Sequence, residues 1–447
     1  MLEIKGKYCK DVKIFTDNIE ESAMATLYRI ADSEAYDGAK VRIMPDVHQG
    51  VGDSVIGFSC PINIESGYVN PQTVGCDLGC TVSCWIYDKP INDNKLAEFE
   101  HKIRKVIPFG FDINKQTKID VKVLIRSLNK AINTLCSKHP IFSDYAISFT
   151  NEKDLEEWCK KLNMDYGVFL KSIGSVGGGN HFVEYDANDD LGKYGVCVHC
   201  GSRNLGQKVF KYWDKIAKSL CVTKDEMKIL TEKVKSKNTD KKKLQDELKA
   251  AKEEYLSTRI PNFLSGEHLY RYLIDVCLAQ EYARLNHEAI HSQIADIYRK
   301  LSEGGKCIEE IYTVHNYVDM DDMILRKGAV RAYKDELLIV PFNMRDGISI
   351  CEGKSNEDFN YTAPHGCGRI LSRSRAKETL DVEEFKKQMA DANIYTTTAD
   401  NSTLDEAPNA YKPMEEIVRL IEPTVEIKYF MKPRMNIKAA EQTINGK

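Results

Sequence analysis

Residues 174–184 read GSVGGGNHFVE. Gly177, Gly178 and Gly179 run straight into Asn180 and His181. Glycine reaches positive φ and lets the backbone approach a ligand closely, so N–H groups can converge on phosphate oxygens. A histidine directly after such a loop can hold a metal beside those phosphates. The same residues also suit a plain glycine-rich turn with a polar histidine at a strand end. A glycine run does not decide between the two by itself, so the rest of the chain has to.

Working outward, glycine-rich and β-branched segments recur at residues 41–58, 73–85, 195–206 and 311–344, which predicts buried strands joined by short turns. Helical stretches lie between them, at residues 96–105 and 120–136. In TVGCDLGC, residues 73–80, Asp77 and Cys80 share a glycine-bounded turn. A carboxylate and a thiolate so placed can reach one metal, and a thiolate can bridge two. Cys76 and Cys84 read as packing residues.

In GVCVHCGSRNLG, residues 195–206, Val196 and Val198 predict a buried strand that ends at His199. Arg203 follows in a tight polar turn and can hold a phosphate bidentately. His315 repeats the pattern in IYTVHNY. Hydrogen-bonded structural histidines remain the alternative for both. In APHGCGRILSRSRAK, residues 363–377, His365 precedes two glycines and Arg369, Arg373 and Arg375. The spacing predicts Arg369 and Arg373 on one face of a helical turn. A neutral imidazole beside guanidinium groups suits phosphoryl or nucleotidyl transfer, with the arginines stabilising oxyanion charge. A helix N-terminus with surface arginines is the plainer account.

One pattern points elsewhere. His287, Glu288 and His291 spell HEAIH, a literal HExxH. On a helix the two histidines share a face and can bind zinc, with the glutamate as base. No third ligand follows at the metzincin spacing, and the flanks read as an ordinary amphipathic helix over residues 266–301 with Ser265 as its cap. These are expected to be surface or packing histidines.

The chain has 447 residues, 42% hydrophobic and 29% charged, which bounds it as globular with a real core. Fourteen cysteines in a chain this long, without a tight framework, fit reduced thiols in a cytoplasmic protein. No membrane-length apolar run and no secretory signal are seen. The net charge of −4 means that any nucleic acid would have to be held by a local patch. Residues 222–259 are rich in lysine and glutamate and lack glycine and proline. Met227, Leu230 and Val234, then Leu244, Leu248, Ala251 and Tyr255, predict two amphipathic helices in a protruding hairpin. Its charges read as a solvated face, with RNA or partner contact as the sharper alternative.

The segments MPDVHQGVGDSVIGF, VGCDLGC, SVGGGNHFVE, VHCGSRNLG, VHNY, RKGAVRA, APHGCGR and DEAPNAYK occur in that order, and together they resemble the RtcB family of GTP-dependent RNA ligases. The resemblance runs from about Arg42 to Lys438. It implies an α+β fold, a single domain over residues 1–447 with central β-sheets ringed by helices and with residues 222–259 inserted. It also implies a 3′-phosphate/5′-hydroxyl nucleic acid ligase. Such enzymes join RNA ending in a 2′,3′-cyclic phosphate or 3′-phosphate to RNA with a 5′-hydroxyl. GTP guanylylates a histidine, GMP passes to the RNA 3′-phosphate, and the 5′-hydroxyl displaces it.

By the same resemblance His365 is the guanylylated histidine. One manganese ion falls to Cys80, His199 and His315, and a second to Asp77, Cys80 and His181. Thiolate and imidazole would suit zinc as well, so manganese comes from the family alone. Asn180, Glu184, Tyr411 and Lys438 fall on nucleotide-contacting positions, and Arg203, Arg369 and Arg373 near the RNA phosphates. The chain departs from the family pattern around Pro341. Asn343 stands where a nucleotide-contacting serine is usual, Ser349 falls on the second serine position, and residues continue past Lys438. These departures suggest a divergent branch. A metal-dependent phosphoesterase and a non-catalytic RNA-binding protein are the competing expectations. The residues name neither the physiological RNA nor an activating protein.

Overall fold

The computed structural model describes residues 1–221, 224–236, 241–257 and 262–439. Two large β-sheets organise them. One has six strands in the order Leu2–Ile4, Asp11–Ile14, Lys40–Gln49, Val55–Pro61, Ile324–Lys327 and Asn316–Val318. The other has seven, in the order Leu337–Pro341, Ile348–Gly353, Val425–Ile437, Phe182–Asn188, Lys193–Cys200, Thr81–Tyr87 and Cys307–Val314. Only Asp11–Ile14 and Lys40–Gln49 run parallel among the paired strands described. A short ladder, Ala329–Arg331 with Thr362–Pro364, links the regions. The architecture is α+β, as the family resemblance implied.

The central strands of the larger sheet are buried along almost their whole length, because both faces are covered. On one face Val183, Tyr185, Val196 and Val198 pack against Phe99, Ile290, Ile294 and Tyr298 from helices Leu96–Val106 and Gly266–Leu301. On the other face the sheet curls over itself. Val82, Cys84, Ile86 and Cys197 meet Ile339, Ile348, Ile350 and Met431 from the far strands. The backbone N–H of Ile339 donates to Thr313 Oγ1 at 2.9 Å and fastens the two ends of the curl together. The helix Gly266–Leu301 has the predicted bounds, but Ser265 stands at its cap position without a side-chain capping bond.

Two details differ from the expectations. Arg369 lies outside any helix, in an extended segment bridged to Tyr411, while Arg373 begins the helix Arg373–Thr379. The two arginines are therefore not helical neighbours. Cys76 is exposed, because the turn after Gly75 carries it outward, whereas Cys84 is fully buried. His287 and His291 are both fully buried, in the packing role expected as one of the two alternatives. The helices Lys224–Lys235 and Lys241–Ser257 pack against each other with Met227, Leu230, Leu244, Leu248, Ala251 and Tyr255 partly covered and Val234 buried. Residues 237–240, which join them, lie outside the described residues. Among the described residues no helix is long and apolar enough to cross a membrane.

Candidate functional site

Four adjacent strands of the larger sheet end at the same edge, and antiparallel pairing makes those ends come from distant parts of the chain. Thr81 pairs with Cys200 on one side and with Val314 on the other, and Phe182 pairs with His199. Cys80, His199, His315 and His181 are therefore neighbours, although they are scattered through the sequence. Cys80 Sγ lies 3.2 Å from His199 Nε2 and 3.4 Å from His181 Nε2. His199 Nε2 lies 3.2 Å from His315 Nε2, and His181 Nε2 is 2.9 Å from Asp77 Oδ2. The glycine run of residues 177–179 serves this packing directly. A Cβ at Gly177 would overlap the His181 ring, and Gly179 adopts a φ of +69°.

The donor set fits a divalent metal. Ligand atoms of Cys80, His181 and His199 all lie within 4.8 Å of one another, and all three residues are buried. Burial pushes the His199 imidazole well below its usual range, with His181 and His365 adding to the effect. Burial does the same to His315, followed by His365 and His199. Both rings are thus neutral near pH 7, the form that binds a metal. Burial pushes the Asp77 carboxyl up, but His181 outweighs it and holds the group at about 2. Burial and then Asp77 push the Cys80 thiol well up, so an arriving cation would displace a proton from sulfur.

His365 approaches this cluster from the short two-stranded ladder. It follows the strand Thr362–Pro364, and its ring centroid is 4.9 Å from that of His315. Asp46 fixes it from behind. Asp46 lies where the pairing of Lys40–Gln49 with Val55–Pro61 shifts register between Ile43 and His48. Its Oδ2 accepts the His365 Nδ1–H at 2.6 Å and the His365 backbone N–H at 3.1 Å. That arrangement assigns the ring proton to Nδ1 and leaves the Nε2 lone pair free. Gly368 is required here, since its φ is +68° and a Cβ would run into the Asp46 backbone.

A cavity of about 620 Å³ opens over His365, His315 and His199 and is walled by Asn180, Glu184, Tyr411 and Lys438. Glu406 holds the wall together. It accepts from Tyr411 Oη at 2.7 Å, from Arg369 Nη1 at 3.3 Å, from Arg373 Nη1 at 2.6 Å and from Lys438 Nζ at 3.4 Å. Burial pushes Glu406 up, but Lys438, Arg373 and Arg369 overcome this and hold it at about 2. Arg369 and Arg373 thus converge through a shared carboxylate rather than through helical spacing.

Ser349 is fully buried and does not line this cavity. Its hydroxyl lies 3.4 Å from the Val340 carbonyl oxygen and 3.3 Å from Cys351 Sγ. Asn343 does line the cavity. A second cavity, of about 820 Å³, is lined by Asp77, Arg203, Arg373 and Lys377. Arg203 stands at its wall with a φ of +55°, tied to Ser175 Oγ at 3.0 Å and to the Gly110 carbonyl at 2.7 Å.

The HEAIH histidines are occupied elsewhere. Ser83 Oγ lies 2.6 Å from His287 Nδ1 and 2.7 Å from His291 Nε2, and His287 Nε2 lies 2.9 Å from the Cys200 carbonyl oxygen. The Trp85 ring stacks on His291 at 4.7 Å. Glu288 is turned away and pairs with Arg284. His287→Ala should therefore leave metal content unchanged while costing about 1–3 kcal/mol of stability through the unsatisfied Ser83 and Cys200 groups. Metal analysis and denaturant unfolding of the variant check both halves.

The sequence reading gave no role to Asp46, Glu406 or Asn436. Asp46 and Glu406 sit inside quoted motifs; for Asp46 an acid within an apolar strand was the available signal, while Glu406 ends the short helical turn Leu404–Glu406. Asn436 had none, because its importance comes from lying opposite Glu184 across the sheet.

Comparisons with known proteins bear on the whole of this site. A family model described as "tRNA-splicing ligase RtcB" matches residues 29–439, a span that includes every residue from Asp46 to Lys438 discussed above. "RNA-splicing ligase RtcB" of Escherichia coli (strain K12) is 25% identical over 422 residues, covering 89% of this chain and 90% of that protein. "tRNA-splicing ligase RtcB" of Aeropyrum pernix is 24% identical over 432 residues, covering 85% of this chain and 83% of that protein. "RNA-splicing ligase RtcB homolog 2" of Entamoeba dispar is 23% identical over 445 residues, covering 88% and 80%.

Proposed function

The chain belongs to the RtcB family, and on that premise we propose that it is a GTP-dependent RNA ligase that joins 2′,3′-cyclic phosphate or 3′-phosphate ends to 5′-hydroxyl ends. One observation carries the reading. His365, with its Nδ1 proton held by buried Asp46, sits beside the Cys80, His181, His199 and His315 cluster at the floor of a nucleotide-sized cavity.

In the first step His365 Nε2 attacks the α-phosphorus of GTP. A P–N bond forms and the bond to pyrophosphate breaks. Asp46 keeps the Nδ1 proton and stabilises the positive charge that develops on the ring, as the buried acid of a catalytic triad does. An RNA 3′-phosphate oxygen then attacks the same phosphorus and releases His365. The RNA 5′-hydroxyl finally attacks the activated 3′-phosphate and expels GMP. A cyclic phosphate must first be opened to a 3′-phosphate. Arg203, Arg369 and Arg373 are the guanidinium groups available to the RNA phosphates.

Two divalent ions, manganese by family resemblance, would be held by Cys80, His199 and His315 and by Asp77, Cys80 and His181, and they would neutralise phosphate charge. The donors and acceptors of the walls support guanine as the base. A Glu184 carboxylate accepts from the guanine N1–H and amino group, and the Lys438 ammonium donates to O6. Adenine presents the reverse pattern. The scatter of site residues from Asp46 to Lys438 supports reading residues 1–447 as one domain, with 222–259 as an inserted helical hairpin. Every cysteine described is free, which fits the reducing cytoplasm.

Incubation with labelled GTP and manganese, without RNA, tests the reading. The expected result is an acid-labile covalent label on His365 and none from labelled ATP. Hydrolysis of a cyclic phosphate without any labelling, across several divalent metals, would replace it with the phosphoesterase reading.

A further inference from the structure

Inside the curled sheet lies a carboxyl that the chemistry above does not use. Asp186 is fully buried on the strand Phe182–Asn188, two residues beyond Glu184 and so on the same face. Neither of its oxygens has a hydrogen-bond partner when it is treated as a carboxylate. Its neighbours are the Glu184 carboxyl, the Cys197 thiol on the adjacent strand and the Cys84 thiol one strand further along the sheet. Among the described residues no lysine or arginine pairs with it.

A lone carboxylate in such a place is strongly disfavoured, and two touching carboxyls in a dry interior cannot both ionise. The pair must hold a proton, and the surroundings decide where. Glu184 Oε2 accepts from Asn436 Nδ2, and Lys438 favours the charged form of Glu184. Asp186 has neither an amide donor nor an ammonium, only the Cys197 thiol. Burial pushes both carboxyls up. The proton therefore rests on Asp186. A protonated carboxyl is an O–H donor, and the Glu184 carboxylate beside it is the strongest acceptor in reach.

We propose that Asp186 is a positioning residue for purine selectivity: as a neutral acid it donates to the Glu184 carboxylate and holds it ionised and oriented toward a guanine-type base. This rests on the reading of the cavity as a guanine nucleotide site. Without Asp186 the proton passes more readily to Glu184, which then offers a hydroxyl where the guanine N1–H needs an acceptor.

Equilibrium binding of GMP and of AMP to the full chain with manganese tests it, in the wild type and in Asp186→Ala and Asp186→Asn. Asp186→Ala should weaken GMP binding by about tenfold and narrow the GMP-to-AMP preference correspondingly, while Asp186→Asn, whose amide N–H replaces the O–H, stays within about threefold of wild type. The infrared carbonyl band of a neutral carboxylic acid should be present in the wild type at neutral pH and missing in Asp186→Asn. That measurement stands even if Asp186→Ala fails to fold. A wild-type preference retained in Asp186→Ala, or a band unchanged in Asp186→Asn, overturns the inference. A wild type that binds GMP and AMP alike instead overturns the nucleotide reading on which it rests.

Discussion

His365→Ala should bind manganese and GTP yet acquire no covalent label, and it should join no RNA ends. Asp46→Asn should label, but slower by about 10³–10⁴-fold, the scale seen when the buried acid of a catalytic triad is replaced by its amide. The two variants separate nucleophile from orienting group. In the native arrangement Asp46 Oδ2 only accepts, so the proton stays on Nδ1 and the lone pair on Nε2. An asparagine can turn its amide N–H toward Nδ1 instead. The ring proton then moves to Nε2, and the nucleophile is blocked although every heavy atom remains in place. Asp46 is fully buried, so the Asn variant also removes a charge from the interior, and folding should survive the exchange. Single-turnover guanylylation with labelled GTP, read alongside metal content, checks both expectations. Label appearing on His365→Ala would move the nucleophile to another residue.

The ligand types were legible because each sits at a strand end and, His315 excepted, within two residues of a glycine, where the chain passes between strand and turn. Cys80, His181, His199, His315 and His365 all stand out in this way. Their assembly was not legible from periodicity. The strand Thr81–Tyr87 lies between Lys193–Cys200 and Cys307–Val314, and nothing local in any of the three announces that order. Groups whose role depends on what lies across the sheet were missed for the same reason. Asn436 matters because it faces Glu184, and Asp46 because a register shift and Gly368 bring it under His365. Local spacing misled where tertiary context overrode it. Arg369 and Arg373 have helical spacing without a shared helix. His287 and His291 also have zinc spacing, but their flanks already read as an ordinary packed helix, and Ser83 reaches both rings from the neighbouring strand.

Cys80→Ala should have the widest effect of any single change among the metal ligands, because one sulfur faces both halves of the cluster. Cys80 Sγ is within 3.4 Å of His181 Nε2 and 3.2 Å of His199 Nε2, so a thiolate there would touch both proposed ions. Its loss should weaken manganese retention at both positions by at least about 100-fold, given that even outer groups of a metal site are worth 10–100-fold. His315→Ala removes a ligand from one proposed ion only, and Asp77→Ala from the other. Each of these should keep about one equivalent of manganese where Cys80→Ala keeps almost none. The fold should tolerate the cysteine change, since alanine fills most of the same small buried space. The loss of metal would then be a ligand effect rather than unfolding, and a thermal melt without added metal distinguishes the two. Metal analysis after dialysis against trace chelator gives the count. Two equivalents retained by Cys80→Ala would remove the bridging thiolate from the proposal and leave two independent sites. One equivalent retained would assign Cys80 to a single ion and give the other to Asp77 and His181 or to His199 and His315 alone.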